Sequence, residues 1–232
     1  FNRSDNTAPE WAYTDKETNK VFANLVQRFD NGWEARINAM HSMTKFDSRL
    51  AVPYYVYTSP DKDTGAGVVR YGGWNRGERT QDSIDMFARG GFELLGRQHE
   101  LMFGGSYSRQ DNSYENSYPA NFTIDNIYSW NGKTPNLAWS DWAFYSSDTI
   151  TQQSLYAATR LSLADPLHMI IGARYTNWNA AYSMERKPTD RRYNREEDLT
   201  PYAGIIYDIN DTWSAYASYT SIFQPTEQRD VN

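Results

Sequence analysis

The stretch ITQQSLYAATRLSLADPLHMIIGARYTNW, Ile150 to Trp178, carries the pattern that decides the fold. In its first half Leu155, Ala157, Thr159 and Leu161 share one parity, and Ser154, Arg160 and Ser162 the other. After Ala164-Asp165-Pro166-Leu167, the residues Met169, Ile171, Ala173 and Tyr175 alternate with His168, Arg174 and Thr176. A strand sends successive side chains to opposite faces, so each half has one apolar and one polar face. Two such runs joined by a short turn signal predict an antiparallel hairpin.

The same split recurs along the chain. Behind the turn Asp30-Asn31-Gly32, Trp33, Ala35, Ile37 and Ala39 oppose Glu34, Arg36 and Asn38. Ile84, Met86, Ala88 and Phe92 oppose Asp85, Arg89 and Glu93, and Leu101, Phe103 and Tyr107 oppose Glu100, Ser106 and Ser108. Trp213, Ala215, Ala217 and Tyr219 oppose Ser214, Ser218 and Thr220. Amphipathic helix periodicity is nearly absent. Tight turn signals at 30–32, 96–98, 164–167 and 209–211 alternate with long connections over 46–79, 110–148 and 180–197. Hairpins whose tight ends all lie on one side are the pattern of an outer-membrane barrel, with short periplasmic turns and long extracellular loops. Strand length points the same way. Segments such as 33–44, 81–93 and 150–163 run past the ~5–6 residues of a soluble strand and reach the ~9–11 that a tilted membrane strand needs. Phe29, Trp33, Phe92, Phe103, Tyr207 and Trp213 are expected at the periplasmic interface, and Tyr107, Tyr175, Trp178, Tyr219 and Phe223 near the other. The expected fold is all-β, an antiparallel transmembrane β-barrel with about eight strands present.

Composition narrows the function. The 232 residues include eight Trp, eighteen Tyr and ten Phe, enough apolar material to oppose disorder. No run approaches the ~18 apolar residues of a membrane helix. Lys and Arg number 23 against 29 Asp and Glu, a net charge of −6, which argues against a nucleic-acid partner. With no cysteine there is no disulfide framework, thiolate metal site or cysteine nucleophile. His41, His99 and His168 are far apart and do not predict a metal centre. Asp61-Lys62-Asp63-Thr64-Gly65 lacks the third acidic ligand and closing Glu of a calcium loop and reads as a polar turn. Nucleophile elbows, phosphate loops and zinc-helix motifs are missing, and the carboxylates are scattered, so an enzyme is not expected. The alternatives are a passive porin-like barrel and a soluble carbohydrate-binding β-sandwich with Trp platforms.

If the apolar face meets lipid, Glu34, Arg36, Asp85, Arg89, Glu93, Glu100, Arg160 and Arg174 face the lumen, as a paired network or against an internal plug. Aromatics in the outer connections suit ligand recognition, because loops on a rigid scaffold commonly carry binding. The candidate ligand contacts are Trp11 and Tyr13 at the outer rim, and Tyr71, Trp74, Tyr118, Trp130, Trp139 and Trp142 in the connections. Flat rings pack against the apolar parts of a ligand while amides donate to its oxygens. The mixed-charge run 186–198 reads as a solvated loop, with lipopolysaccharide phosphates as a second possibility.

The blocks LADPLHMIIGARYTNW (163–178) and LTPYAGIIYDINDTWSAYASYTSIFQP (199–225) resemble the mid-barrel of TonB-dependent ferric siderophore receptors. SIDMFARGGFELLGRQHELMFGGSYSR (83–109) and APEWAYTDKETNKVFANLVQRFDNGW (8–33) are similar to the same family. Within it, the overall run of residues is most similar to the hydroxamate type that takes coprogen and rhodotorulic acid. The resemblance implies a 22-stranded outer-membrane barrel of a Gram-negative bacterium, filled by an N-terminal plug. Such a barrel takes up ferric siderophores with energy passed through TonB, amid outer-membrane lipid and lipopolysaccharide. No cofactor is expected on the protein, since the iron travels inside the siderophore. The ends FNRSDN and SIFQPTEQRDVN, with no TonB-box or plug sequence, are expected of residues 1–232 as part of a longer barrel.

Overall fold

A computed structural model describes residues 8–54, 61–120, 122–130, 137–184 and 187–225, the side chains of 52–54, 69–71, 122–123 and 187–193 excepted. Among the described residues nine strands run in chain order: β1 (Tyr13–Arg28), β2 (Glu34–Tyr54), β3 (Val68–Leu94), β4 (Arg97–Ser117), β5 (Phe122–Ile124), β6 (Ala143–Ala164), β7 (Leu167–Met184), β8 (Lys187–Asp208) and β9 (Ser214–Thr220). Eight of them form one antiparallel sheet in the order β1-β2-β3-β4-β6-β7-β8-β9, and the short β5 adds to β3.

Register shows what each face is for. Leu25, Ile37, Met86, Gly105, Leu155, Tyr175 and Leu199 stand directly opposite one another across seven strands. One residue along, Asn24, Asn38, Asp85, Ser106, Ser154, Thr176 and Asp198 form an entirely polar row on the other face. Nothing covers the apolar row: Leu155 is 68% exposed and Leu25 63%. Among the described residues the buried apolar side chains are only Ala51, Val68, Ile124, Ile127, Trp178 and Ala180. A bare apolar wall of this extent is untenable in water, where exposed patches rarely exceed a few hundred Å². It is the lipid face of a barrel wall, and the polar row looks into the lumen. The soluble sandwich is thereby excluded, since it needs a second sheet on the apolar face.

Aromatic residues frame this face as expected at the turn end. The Trp33 ring lies over Gly90, where a Cβ would come 2.4 Å from it, and stands 6.1 Å from Phe103. Gly90→Leu is expected to lift Trp33 away and cost ~1–3 kcal/mol. Reversible unfolding of the full-length barrel in detergent measures this, and unchanged stability would mean that Trp33 relocates freely. Trp178 departs from the expected girdle. It pairs with Gln152 and Glu196, has the opposite parity to Tyr175, and is buried on the lumen side.

The strands run well beyond the segments the sequence marks. β3 has 27 residues and β2 has 21, so much of 46–79 is strand. The expected long connection 180–197 is chiefly two paired strands, Met184 standing opposite Lys187. Above the lipid both faces meet water, so side-chain alternation lapses while the backbone goes on pairing. At the other end the turn after β3 is Leu95-Gly96, one residue earlier than the sequence signal. Both residues take positive φ, 55° and 72°, as the tight primed hairpin turn requires.

Candidate functional site

Two sites gather the candidate aromatics at the upper end of β2, β3 and β4, on opposite faces of the wall. The first lies on the face continuous with the lipid side. Along β2 and β3 pairing is unbroken, so Arg49 opposite Trp74 shares the face of Ile37 opposite Met86. There the indoles of Trp74 and Trp139 meet edge-on at 5.7 Å, Trp11 meets Trp139 at 5.7 Å, and Trp142 meets Trp74 at 4.9 Å. The Arg49 guanidinium lies 3.8 Å from the Trp74 ring centre, 5.3 Å from Trp139 and 5.8 Å from Tyr13. Arg76 lies 4.1 Å over Trp142 and pairs with Glu115 at 2.7 Å. Asp47 accepts from Trp74 Nε1 at 2.7 Å and from the Tyr13 hydroxyl at 2.8 Å. Burial and that bond to Asp47 push the Tyr13 hydroxyl above its ordinary pKa. Five of the eight candidates thus form one cluster, from three parts of the chain that spacing alone does not join.

The second site is on the lumen face. Leu50, Gly73, Asn75, Asn116, Tyr118 and Tyr145 border a hollow of about 340 Å³. Asn116 Nδ2 donates to the Tyr118 oxygen at 3.1 Å, which leaves the phenol proton to donate elsewhere. The Tyr118 main chain is tied to Ser140 by N–H to Oγ at 3.0 Å and by the Ser140 N–H to Tyr118 carbonyl bond at 2.9 Å. The ring is therefore presented from a fixed backbone. Asn75, Asn116 and Tyr145 carry no motif in the sequence. Parity with Ser48 and Tyr114 marks Asn75 and Asn116 as inward, whereas Tyr145 has the parity of the outward Leu155 and sits at the bulge where β4–β6 pairing shifts between Tyr114 and Glu115.

The other candidates lie apart. Trp130 packs on a small apolar cluster of Val68, Ile124 and Ile127 where β5 meets β3. Tyr71 is in β3, opposite Val52, and its side chain lies outside the described residues. The Asp61–Gly65 segment is a capped turn: Asp61 Oδ1 accepts from the N–H groups of Thr64 at 2.7 Å and Asp63 at 2.9 Å. Those bonds, the one from Thr64 first, hold its carboxyl below the usual range.

Lower on the lumen face the charges form paired networks. Glu34 takes Arg36 at 2.8 Å, Arg89 at 3.2 Å and Arg28 at 3.3 Å. Tyr156 donates to Asp85 at 2.9 Å across Gly104, and Arg174 donates to the Ser106 and Ser154 hydroxyls, each at 3.0 Å. The histidines are dispersed. His41 faces Asp82 at 2.7 Å, and His168 faces Asp208 at 3.5 Å. His99 donates from Nε2 to the Leu94 carbonyl at 3.0 Å and accepts at Nδ1 from the Ser162 N–H at 3.0 Å. No group of three or more metal-ligating side chains occurs among the described residues.

Known proteins share this architecture along the whole chain. The ferric-pyoverdine BN7/BN8 receptor of Pseudomonas putida is 35% identical over 96% of this chain. The ferripyoverdine receptor of Pseudomonas aeruginosa is 32% identical over 97%. The chain spans 28% and 27% of those two relatives' lengths. A crystal structure of the ferripyoverdine receptor of the outer membrane of Pseudomonas aeruginosa, bound to ferripyoverdine, superposes with a TM-score of 0.85 at 29% identity, over 98% of this chain and 29% of that one. The ferric-catecholate import receptor from Escherichia coli K12 has the same fold, with a TM-score of 0.75 at 13% identity over 94% of this chain and 37% of that one. The family model for TonB dependent receptor-like β-barrels matches residues 1–232, and the chain belongs to that outer-membrane family.

Proposed function

We propose that the full-length protein is an outer-membrane receptor that binds a ferric siderophore of the pyoverdine class at the lumen-side hollow around Tyr118. The likeness to a ferripyoverdine receptor over 98% of this chain supports the ligand class. The hollow supports the place, because it combines Tyr118 and Tyr145 with two amides and falls within the ~300–1,000 Å³ of small-molecule sites. Rings pack the apolar parts of a chelate, and the Asn75 and Asn116 amides and the Tyr118 hydroxyl donate to its oxygens. The iron is cargo, coordinated by the siderophore and by no side chain.

On this reading residues 1–232 are part of a 22-stranded barrel whose remaining strands and plug domain belong to the rest of the protein. Uptake draws energy from TonB through that plug, and the lipid face sits among outer-membrane lipid and lipopolysaccharide. A coprogen-like hydroxamate chelate is the narrower reading, resting on the overall run of residues.

Intrinsic tryptophan fluorescence of the full-length protein in detergent tests this, titrated with ferric pyoverdine, ferric coprogen, a ferric catecholate and cobalamin. Saturable quenching by ferric pyoverdine alone is expected, weakened about tenfold in Tyr118→Ala by loss of a hydrogen bond and a ring contact. Quenching by coprogen alone would favour the hydroxamate reading. No quenching of a folded barrel by any chelate would favour a passive porin.

A further inference from the structure

The aromatic–arginine cluster stands on the wrong face for a ligand in the lumen. Trp74 lies ten residues beyond Ile84 on β3, with unbroken pairing between them. At ~3.3 Å per residue and a tilt of ~40°, that puts it ~25 Å above the apolar wall, on the outside of the barrel. In an outer membrane, what surrounds a barrel at that height is the sugar layer of lipopolysaccharide. The cluster has the chemistry for it. Indole faces pack against the C–H faces of pyranose rings, and a guanidinium pairs with phosphate or carboxylate on them. Arg76 has Glu115, but Arg49 has no ion-pair partner among the described residues.

We propose that Arg49, Trp74, Trp139 and Trp142 form an outward-facing site for the anionic core oligosaccharide of lipopolysaccharide. This rests on the barrel's place in the outer membrane and not on the identity of the siderophore. The same contacts tie the segment after β4 to the β2–β3 hairpin, so a bound oligosaccharide would brace the mouth from outside.

The test uses full-length receptor in detergent and the lipid-free core oligosaccharide released from rough lipopolysaccharide by mild acid, with titration calorimetry as readout. Saturable binding is expected, about fivefold weaker in Arg49→Gln, which keeps the packing stem and loses the charge. Trp74→Ala should weaken it further, and rough lipopolysaccharide should raise the melting temperature of the parent more than lipid A does. Both variants should keep the parent's affinity for ferric pyoverdine. Absence of oligosaccharide binding, equal binding by parent and Arg49→Gln, or equal stabilisation by lipid A and rough lipopolysaccharide would overturn the proposal. So would a variant that loses siderophore affinity while retaining the oligosaccharide. Loss of ferric pyoverdine binding in the parent, with oligosaccharide binding intact, would sink the siderophore reading alone.

Discussion

Ile171→Arg in the full-length protein is expected to lower barrel stability by ~2–4 kcal/mol, the cost of an arginine near the bilayer midplane on the lipid face. Ile171 stands opposite Thr159 and Ala203 and is 41% exposed with no protein cover. It lies four residues, ~10 Å along the barrel axis, from the start of β7, within the apolar band. Ala217→Arg, opposite Ile205 on β9, should cost a similar amount. Unfolding in lipid vesicles and the heat-modifiable shift on gels measure both. Equal assembly of parent and variants would mean that the inward and outward faces are exchanged.

Gly104→Ala should cost about 3 kcal/mol, although it adds a single methyl. A Cβ there would stand 2.5 Å from the Met86 carbonyl oxygen, 2.7 Å from Phe87 Cβ and 2.7 Å from the Tyr156 hydroxyl. The first two are backbone or near-backbone atoms of the neighbouring strand and cannot swing aside. The third is the group that crosses Gly104 to reach Asp85. Overpacking is worth ~1–3 kcal/mol, and stranding the half-buried phenol and carboxylate adds a comparable amount. A double-mutant cycle with Tyr156→Phe separates the two. The pair should cost less than the sum of the singles, because both remove the same bond. Strict additivity would show that Gly104 acts on the backbone alone.

Much of the wall was legible in the sequence because a strand has a period of two and lipid tolerates few exceptions. Ile37, Met86, Leu155 and Ile171 could be assigned to one face from alternation alone, and the hairpin ends from Asp30-Asn31-Gly32 and Asp165-Pro166. The extracellular half was not. Residues 74–80, WNRGERT, have water or loop on both faces, so no alternation marks them as strand, yet their backbone pairs with β2 and β4 throughout. Trp178 departs from the girdle for a related reason: its type suits an interface, while its parity points inward.

The sequence by itself determined the fold class, the lipid face and the tight-turn end, because all three depend on local order along one strand or one turn, and it determined the family through long ordered blocks. Only the tertiary structure decided which aromatics meet. Trp11, Arg49, Trp74 and Trp139 come from the segment before β1, two strands and a loop, and inter-strand register carries their side chains to one face. Register also put that cluster outside the barrel and the Tyr118 hollow inside. A one-residue difference in parity reverses the side of a wall on which a ring stands, and residue type carries no trace of that choice where both sides are wet.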